Sequence, residues 1–360
     1  MILTIILVVF AFSLLVIIHE LGHFIAARRA GVKVEEFGIG FPPKLFGWQG
    51  KKTLYTINLL PLGGFVRLRG EVGSDKAKDS FAAQSTWVKT KILLAGVTMN
   101  IGLAYAIITL LCATGLPPVY FETAPSFGPI APIKSDDPSL TVFQVAKGSP
   151  AEKAGITAGK VFVAIDGQKL DSNEQLRAFT KDHKGDEVTV TLREDGRDKD
   201  YRVTLGQDEK AGVLGVAAFN MKLARYQWYQ APIAAVGIMA KLVVATIGAF
   251  GGLIVSLFTQ AKVTDGVTGP IGITMIFGEV MKFGWQYVLA LMASISLSLG
   301  VINALPIPAL DGGRWLLVLL NRRNIRVSHR VENALHLVGF VALIGLMIFV
   351  ALSDISRFGK

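Results

Sequence analysis

The chain contains one cysteine, Cys112, among 360 residues. No intrachain disulfide is possible, and no thiolate cluster competes for a metal. Set in an apolar run, Cys112 reads as a small buried hydrophobe. Charge is scarce as well: 18% of residues are Asp, Glu, Lys or Arg, 51% are hydrophobic, and the mean hydropathy is +0.49. That balance disfavours an ordinary soluble enzyme and points to a membrane protein. Residues 1–18 carry no charge at all. Without a cationic n-region or a small-x-small cleavage site, this run is not expected to be a removable signal peptide, and it is long enough to enter a bilayer.

Acidic charge is short too, leaving a net charge of +10. Its distribution argues against a nucleic-acid partner. Residues 24–91 hold 12 Lys/Arg against 5 Asp/Glu and residues 309–334 hold 5 against 2, whereas 116–230 are balanced at 15 against 16. Two basic loops of this kind mark a cytoplasmic face.

What the first apolar run does contain is His19-Glu20-Leu21-Gly22-His23 near its end. At about 100° per residue the two histidines share one helical face a turn apart, and both imidazoles can reach one zinc ion with Glu20 beside them as general base. Three ionisable groups in five residues at this spacing are poorly explained as interfacial capping. A proton relay in a transporter is the other functional reading, since ionisable groups inside membranes mark ion pathways.

A catalytic zinc takes three protein ligands and keeps one position open. Asp265, Glu279 and Asp311 are the carboxylates to weigh. Asp311 is favoured because it follows a helix broken by Pro306 and Pro308 and precedes Gly312-Gly313, which allow close backbone approach. Its alternative role is a helix N-cap. Spans over 2–23, 92–116, 286–305 and 335–352 put the His pair, Asp311 and both basic loops on one side. A fifth crossing by 231–258 would separate them, so that stretch is expected to associate with the membrane without spanning it.

The expected fold is a polytopic α-helical membrane protein with four transmembrane helices, a re-entrant β-hairpin and one inserted extracytoplasmic PDZ-like domain. Its parts are a membrane region at 1–116, a linker at 117–137, the PDZ-like domain at 138–220, a membrane-associated helical segment at 221–285, and a second membrane region at 286–360. The hairpin is read from the alternation in Lys51–Asn58 and Phe65–Arg69. Phe37–Pro43 precedes it as a glycine-punctuated apolar loop. In the inserted domain 141–145, 161–165 and 187–192 read as strands and 173–180 as a short helix. His183, His329 and His336 lie in polar surroundings and are expected to be solvated.

Taken together, the His19–His23 motif, Gly38-Ile39-Gly40, Gly63-Gly64-Phe65-Val66-Arg67-Leu68, the Gly148–Gly167 stretch and Asn303–Gly313 resemble a site-2 protease of the bacterial regulator-of-sigma-E-protease type over nearly the whole chain. The resemblance implies an intramembrane zinc endopeptidase of the inner membrane with one Zn2+ per chain. His19, His23 and Asp311 would be ligands, Glu20 the general base, and Gly64, Phe65, Val66, Arg67, Asn303 and Pro306 substrate contacts. It further implies single-pass membrane proteins as substrates, such as anti-sigma factors or remnant signal peptides, met within the lipid bilayer. Lys160 departs from the acidic residue often found after the glycine of such PDZ domains. The competing readings are a membrane-anchored PDZ binding module with a vestigial metal site and an ion-coupled transporter.

Overall fold

The computed structural model describes residues 2–71, 75, 77–119, 121, 124–133, 140–170, 172–194, 196–207, 213–220, 223–260, 263, 268–322 and 329–358. Asp265, residues 134–137 of the linker and the side chain of His329 lie outside the described residues. The chain divides into two compact units. One comprises Met1–Ile108, Ala235–Glu279 and Val288–Lys360; the other comprises Thr109–Ala234 and Val280–Tyr287.

In the first unit α1 (Ile2–Arg29) packs antiparallel to α2 (Thr86–Thr114). Glycine makes the approach possible: any side chain at Gly22 would meet the Ala95 carbonyl, and one at Gly96 would meet both histidines. Between the two helices lie β1 (Val34–Gln49) and β2 (Leu54–Leu68). Each is long enough to fold back on itself, and the pairing is that of four short strands. Residues 34–39 pair on one side with 64–68 and on the other with 54–57, and 44–49 pair with the outer side of 54–58.

This corrects the hairpin expected between Lys51–Asn58 and Phe65–Arg69. Those segments do not pair with each other, because the Gly38–Gly40 strand, expected as a loop, is inserted between them. Gly38 leaves room for the Phe65 ring across it, and Gly40 has φ +76° against the Leu60 carbonyl, a conformation that excludes most side chains. Beneath the sheet, Val34, Leu68 and Val66 join Ala27, Phe81 and Ile92 in a small apolar core.

The remaining helices of the membrane region are α5 (Ala231–Gln260), α6 (Pro270–Val280), α7 (Trp285–Ala304), α8 (Asp311–Arg322) and α9 (His329–Phe358). Among the described residues five helices are long and apolar enough to cross a membrane: Thr4–Arg29, Thr86–Thr114, Ala231–Leu257, Trp285–Ala304 and Ala334–Ser356. The expected set had four. The addition is α5, a continuous helix through Gly248, Gly251 and Gly252, since an apolar environment favours a helix that satisfies every backbone group internally.

The second unit is built around an antiparallel five-stranded sheet in the order β6-β5-β4-β3-β7, from β3 (Leu140–Val145), β4 (Val161–Ile165), β5 (Glu187–Glu194), β6 (Arg197–Thr204) and β7 (Val216–Asn220). The short helices α3 (Pro150–Lys153) and α4 (Asn173–Asp182) flank it. Ser149 caps α3 by accepting the amide of Glu152, and the Glu152 carboxylate accepts the amide of Gly148, the residue before the cap. Alternating Val188, Val190, Leu192 and Tyr201, Val203 point into one core with Leu140, Val142 and Ile165. Lys160 is buried and donates to Tyr201 at 2.6 Å, with Glu194 at 3.3 Å.

Candidate metal centre

α1 carries His19 and His23 on its inward face, both more than nine-tenths buried. Asp311 begins α8, and a tight Pro-containing turn brings it to them. The turn is fixed by backbone bonds from Ile307 to Leu305 and from Leu310 to Ile307, and Gly312 and Gly313 leave no room for side chains between α8 and the carbonyls of Ala304, Leu305 and Ile307. Gly339 of α9 packs in the same way on Pro308.

Three ligand atoms converge here. His19 Nε2 and Asp311 Oδ2 are 2.9 Å apart, His23 Nε2 and Asp311 Oδ2 3.3 Å, and the two Nε2 atoms 3.2 Å. Tetrahedral zinc with ligands at about 2.0–2.1 Å has ligand–ligand edges of about 3.3 Å, so the three atoms outline one face of such a site. Among the described residues this is the one cluster of at least three His, Cys, Asp or Glu with metal-ligand geometry.

The far nitrogens fit the same reading. His23 Nδ1 donates to the Ile92 carbonyl at 2.8 Å, which leaves Nε2 as the lone-pair nitrogen. His19 Nδ1 faces the side-chain amide of Asn100 at 3.4 Å. With the amide nitrogen toward the ring, Asn100 Oδ1 is buried without a partner. With Nε2 free for a metal, Nδ1 carries a proton, and the Asn100 oxygen turned toward it becomes its acceptor. That reorientation pairs the ring proton with the Asn100 oxygen. Ser296 donates to the backbone carbonyl of Asn100 at 2.9 Å.

A cavity of about 210 Å³ opens beside the cluster, with Glu20, Asn100, Asn303 and Asp311 in its wall. Glu20 also lies next to the sheet: a methyl group at Gly64 would stand 3.7 Å from its Cγ. The edge strand 64–68 therefore runs past the candidate base. Phe65 covers Gly38, Val66 points into the core below, and Arg67 pairs with Glu36 at 3.0 Å. Pro306 is exposed in the turn and does not line the cavity.

Glu279 stands apart from the cluster, because its neighbour Gly278 packs on Thr4, about four turns of α1 before His19. His183 stacks on Phe179 and donates to its carbonyl at 2.9 Å. His336 is not solvated as expected: it is half-buried, and its Nδ1 accepts the Ala309 amide at 3.1 Å. Ala309 has φ +76°, so the turn before Asp311 is held in a conformation that costs a side-chain-bearing residue free energy, and His336 is what holds it. Gly96, Asn100 and His336 were not foreseen. The available signal was a glycine and an asparagine one turn apart in an otherwise apolar helix.

Residues 7–346 match the model of Peptidase family M50. A Fusobacterium nucleatum protein whose name assigns it to the zinc metalloproteases is 30% identical over 98% of this chain and 99% of its own. Zinc metalloprotease RasP of Shouchella clausii is 31% identical over 96% of this chain and 97% of its own, and RasP of Oceanobacillus iheyensis 27% identical over 98% and 99%. Among solved structures, the PDZ domain of an SdrC-like protein from Listeria monocytogenes aligns with 24% of this chain and 93% of its own at 20% identity and a TM-score of 0.22. The chain belongs to peptidase family M50, the site-2 protease family, and is a zinc-dependent intramembrane peptidase in a multi-pass membrane protein.

Proposed function

We propose that this peptidase cuts single-pass membrane proteins within or near their transmembrane segment, with His19, His23 and Asp311 as zinc ligands and Glu20 as general base. The observation that carries the reading is the edge strand 64–68 passing Glu20 beside the three converging ligand atoms. A peptide bond inside a helix is shielded by its own hydrogen bonds, so a substrate must be unwound before attack. An extended segment added to a sheet edge is held in that state by main-chain bonds. Zinc, when bound, supplies the Lewis acidity that activates water and polarises the scissile carbonyl. Glu20 takes the proton of the attacking water and returns it to the leaving amine. Asn303, in the cavity wall, is placed to donate its amide to substrate, and Asn100 and Ile92 hold the imidazoles in the productive tautomer.

The topology that goes with this reading has four crossings. α2 runs antiparallel to α1, and α5 begins five residues after Tyr226, whose amide donates to Cys112 near the end of α2. α6 runs to Val280, and Gly278 in its last turn packs on Thr4 at the start of α1, which the antiparallel packing sets beside the end of α2. The α5–α6 pair thus enters and leaves at one face. With 11 residues, α6 spans about 16 Å, half the hydrocarbon core. α5 and α6 dip into the membrane, α7 crosses, and Asp311 reaches the His pair on the cytoplasmic side. The sheet is re-entrant, with Phe41, Leu45, Phe46, Leu59 and Leu60 exposed at its tip for contact with lipid. The inserted 138–220 domain is then extracytoplasmic and acts as a PDZ-like filter, and anti-sigma factors or remnant signal peptides already shortened outside the membrane are the substrates it admits.

The test is cleavage in proteoliposomes of two single-pass substrates, one with helix-breaking residues in its membrane segment and one of uniform Leu. The first is expected to be cut and the second spared, while Glu20→Gln keeps its zinc and cuts neither. Equal cleavage of both substrates, or full activity of Glu20→Gln, defeats the proposal; the latter would mean that a group other than Glu20 serves as the base.

A further inference from the structure

At the end of the sheet where the chain enters at Val34 and turns after Gln49, a basic cavity of about 450 Å³ is walled by Arg28, Lys33, Lys51 and Lys52, with Gln49 and Thr53 between them. All four cations are exposed, and none forms an ion pair among the described residues. The acid in this wall, Asp79, is engaged by Arg69, whose Nη1 donates to both carboxylate oxygens at 3.0 and 3.3 Å. Four cations are thus left facing one concavity. Next to it is an apolar slot of about 130 Å³ lined by Phe24, Phe37, Ile39, Trp48 and Tyr55. The two are joined where the Arg28 guanidinium of the cavity wall sits 5.5 Å over the Phe24 ring of the slot.

We infer that cavity and slot together form a binding site for one anionic phospholipid, the phosphate head group among the cations and an acyl chain along the aromatic slot. The ligand must be anionic at one end and apolar at the other, because the two pockets are contiguous and opposite in character. The level also fits a lipid. Going along 45–52, exposed Leu45 and Phe46 give way to Trp48 and then to Lys51-Lys52, the order in which a chain leaves hydrocarbon, passes the aromatic belt and enters the head-group layer. A bound lipid would touch both the central strand at Phe37–Ile39 and Phe24, the residue after His23, and so brace the sheet against the helix that carries the histidines.

This inference rests on the proposed re-entry of the sheet, and the experiment separates the two. In phosphatidylcholine liposomes holding the full-length protein, a minority of brominated lipid is added, either phosphatidylcholine or phosphatidylglycerol. Quenching of Trp48 is taken as the difference between wild type and Trp48→Phe. Quenching of Trp48 is expected from both lipids, and from phosphatidylglycerol at several-fold lower mole fraction. In Lys51→Gln/Lys52→Gln that preference is expected to be abolished, since one cation near an anionic surface is alone worth ~1 kcal/mol, about fivefold. Arg322→Gln, an exposed charge on α8 outside the cavity, leaves it unchanged.

Equal quenching by both lipids overturns the lipid site and leaves the re-entrant sheet standing. A preference lost equally in Arg322→Gln also overturns it, as the mark of a diffuse field. No quenching by either lipid overturns the re-entry and the site together.

Discussion

Gly96 has no chemistry of its own, and replacing it with alanine tests the whole arrangement of the centre. A Cβ at position 96 would press into His23 Nε2 and lie 2.7 Å from His19 Nε2. Carbon contacts are comfortable only from about 3.5 Å, so each ring would have to retreat by about 0.5–1 Å. Metal–ligand distances tolerate about 0.2 Å. Retreat is opposed on the far side: His23 is held by the Ile92 carbonyl and Gly22 is already against Ala95. Loss of a single outer hydrogen bond to a ligand costs about 10–100-fold in metal affinity, so displacing two rings is expected to cost at least about 100-fold. The assay is zinc content after equilibration with a competing chelator, alongside cleavage of a membrane substrate. Gly102→Ala is the control, because nothing lies within 4 Å of that position and it is on the same helix. It should keep full zinc and gain roughly 0.5–1 kcal/mol in unfolding stability from helix propensity. If Gly96→Ala holds one zinc per chain with wild-type affinity and cuts normally, the metal is not between these histidines, and the reasoning fails.

Four further outcomes are expected. Asp311→Ala should lose bound zinc, measured by elemental analysis, and lose cleavage with it, since its Oδ2 stands within 3.3 Å of both Nε2 atoms; full zinc retention would send the search for a third ligand elsewhere. Ala309→Gly should raise the thermal unfolding midpoint by the equivalent of about 1 kcal/mol with cleavage retained, because glycine tolerates φ +76° without strain. Burial works to lower the Lys160 pKa, but its bonds to Tyr201 and Glu194 prevail and hold it above the ordinary lysine value. Its contribution is therefore present below about pH 10.4 and fades as pH rises through the folded-state value. Hydrogen exchange in β5 and β6 should report that loss in wild type and not in Lys160→Met, which should open more readily at neutral pH. A cysteine placed at Gln260 in a Cys112→Ser background should resist impermeant reagents added from the cytoplasmic side; labelling from that side would make α5 a crossing and break the four-span topology.

How far the sequence could be read depended on whether the signal was local. His19, Glu20 and His23 are one helical turn, and the 3.6-residue period alone places both imidazoles together. Asp311 was legible for a different local reason: two prolines end a helix, and two glycines let the next one start against its carbonyls. The β-rich domain was partly legible because its strands alternate, although β6, with Arg197, Asp198, Lys199 and Asp200 exposed, hides its pattern behind a charged outer half. The four-stranded arrangement near Glu20 was not legible. Strand pairing is set by residues far apart, and Gly38 and Gly40 look like loop punctuation until Phe65 and the Leu60 carbonyl are seen across from them. Length and apolarity identified α5 as a helix able to cross, whereas Gly278 against Thr4, and Asp354 accepting the amides of Gly269 and Gly272 at 3.2 and 2.9 Å, are long-range contacts that no local pattern announces.

Gly96 and Asn100 fall between these cases, and they show what a search confined to titratable groups overlooks. They sit four residues apart on α2, the same spacing that marks the His pair, and they are unusual in an apolar span for opposite reasons, one too small and one too polar. A zinc imidazole has two nitrogens. Whatever accepts from the second must be buried at the same depth, and whatever passes beside the first must have no side chain. Once His19 and His23 are assigned to a metal, the neighbouring helix has to supply a residue of each kind one turn apart, and Gly96 with Asn100 is the place in Thr86–Thr114 where it does.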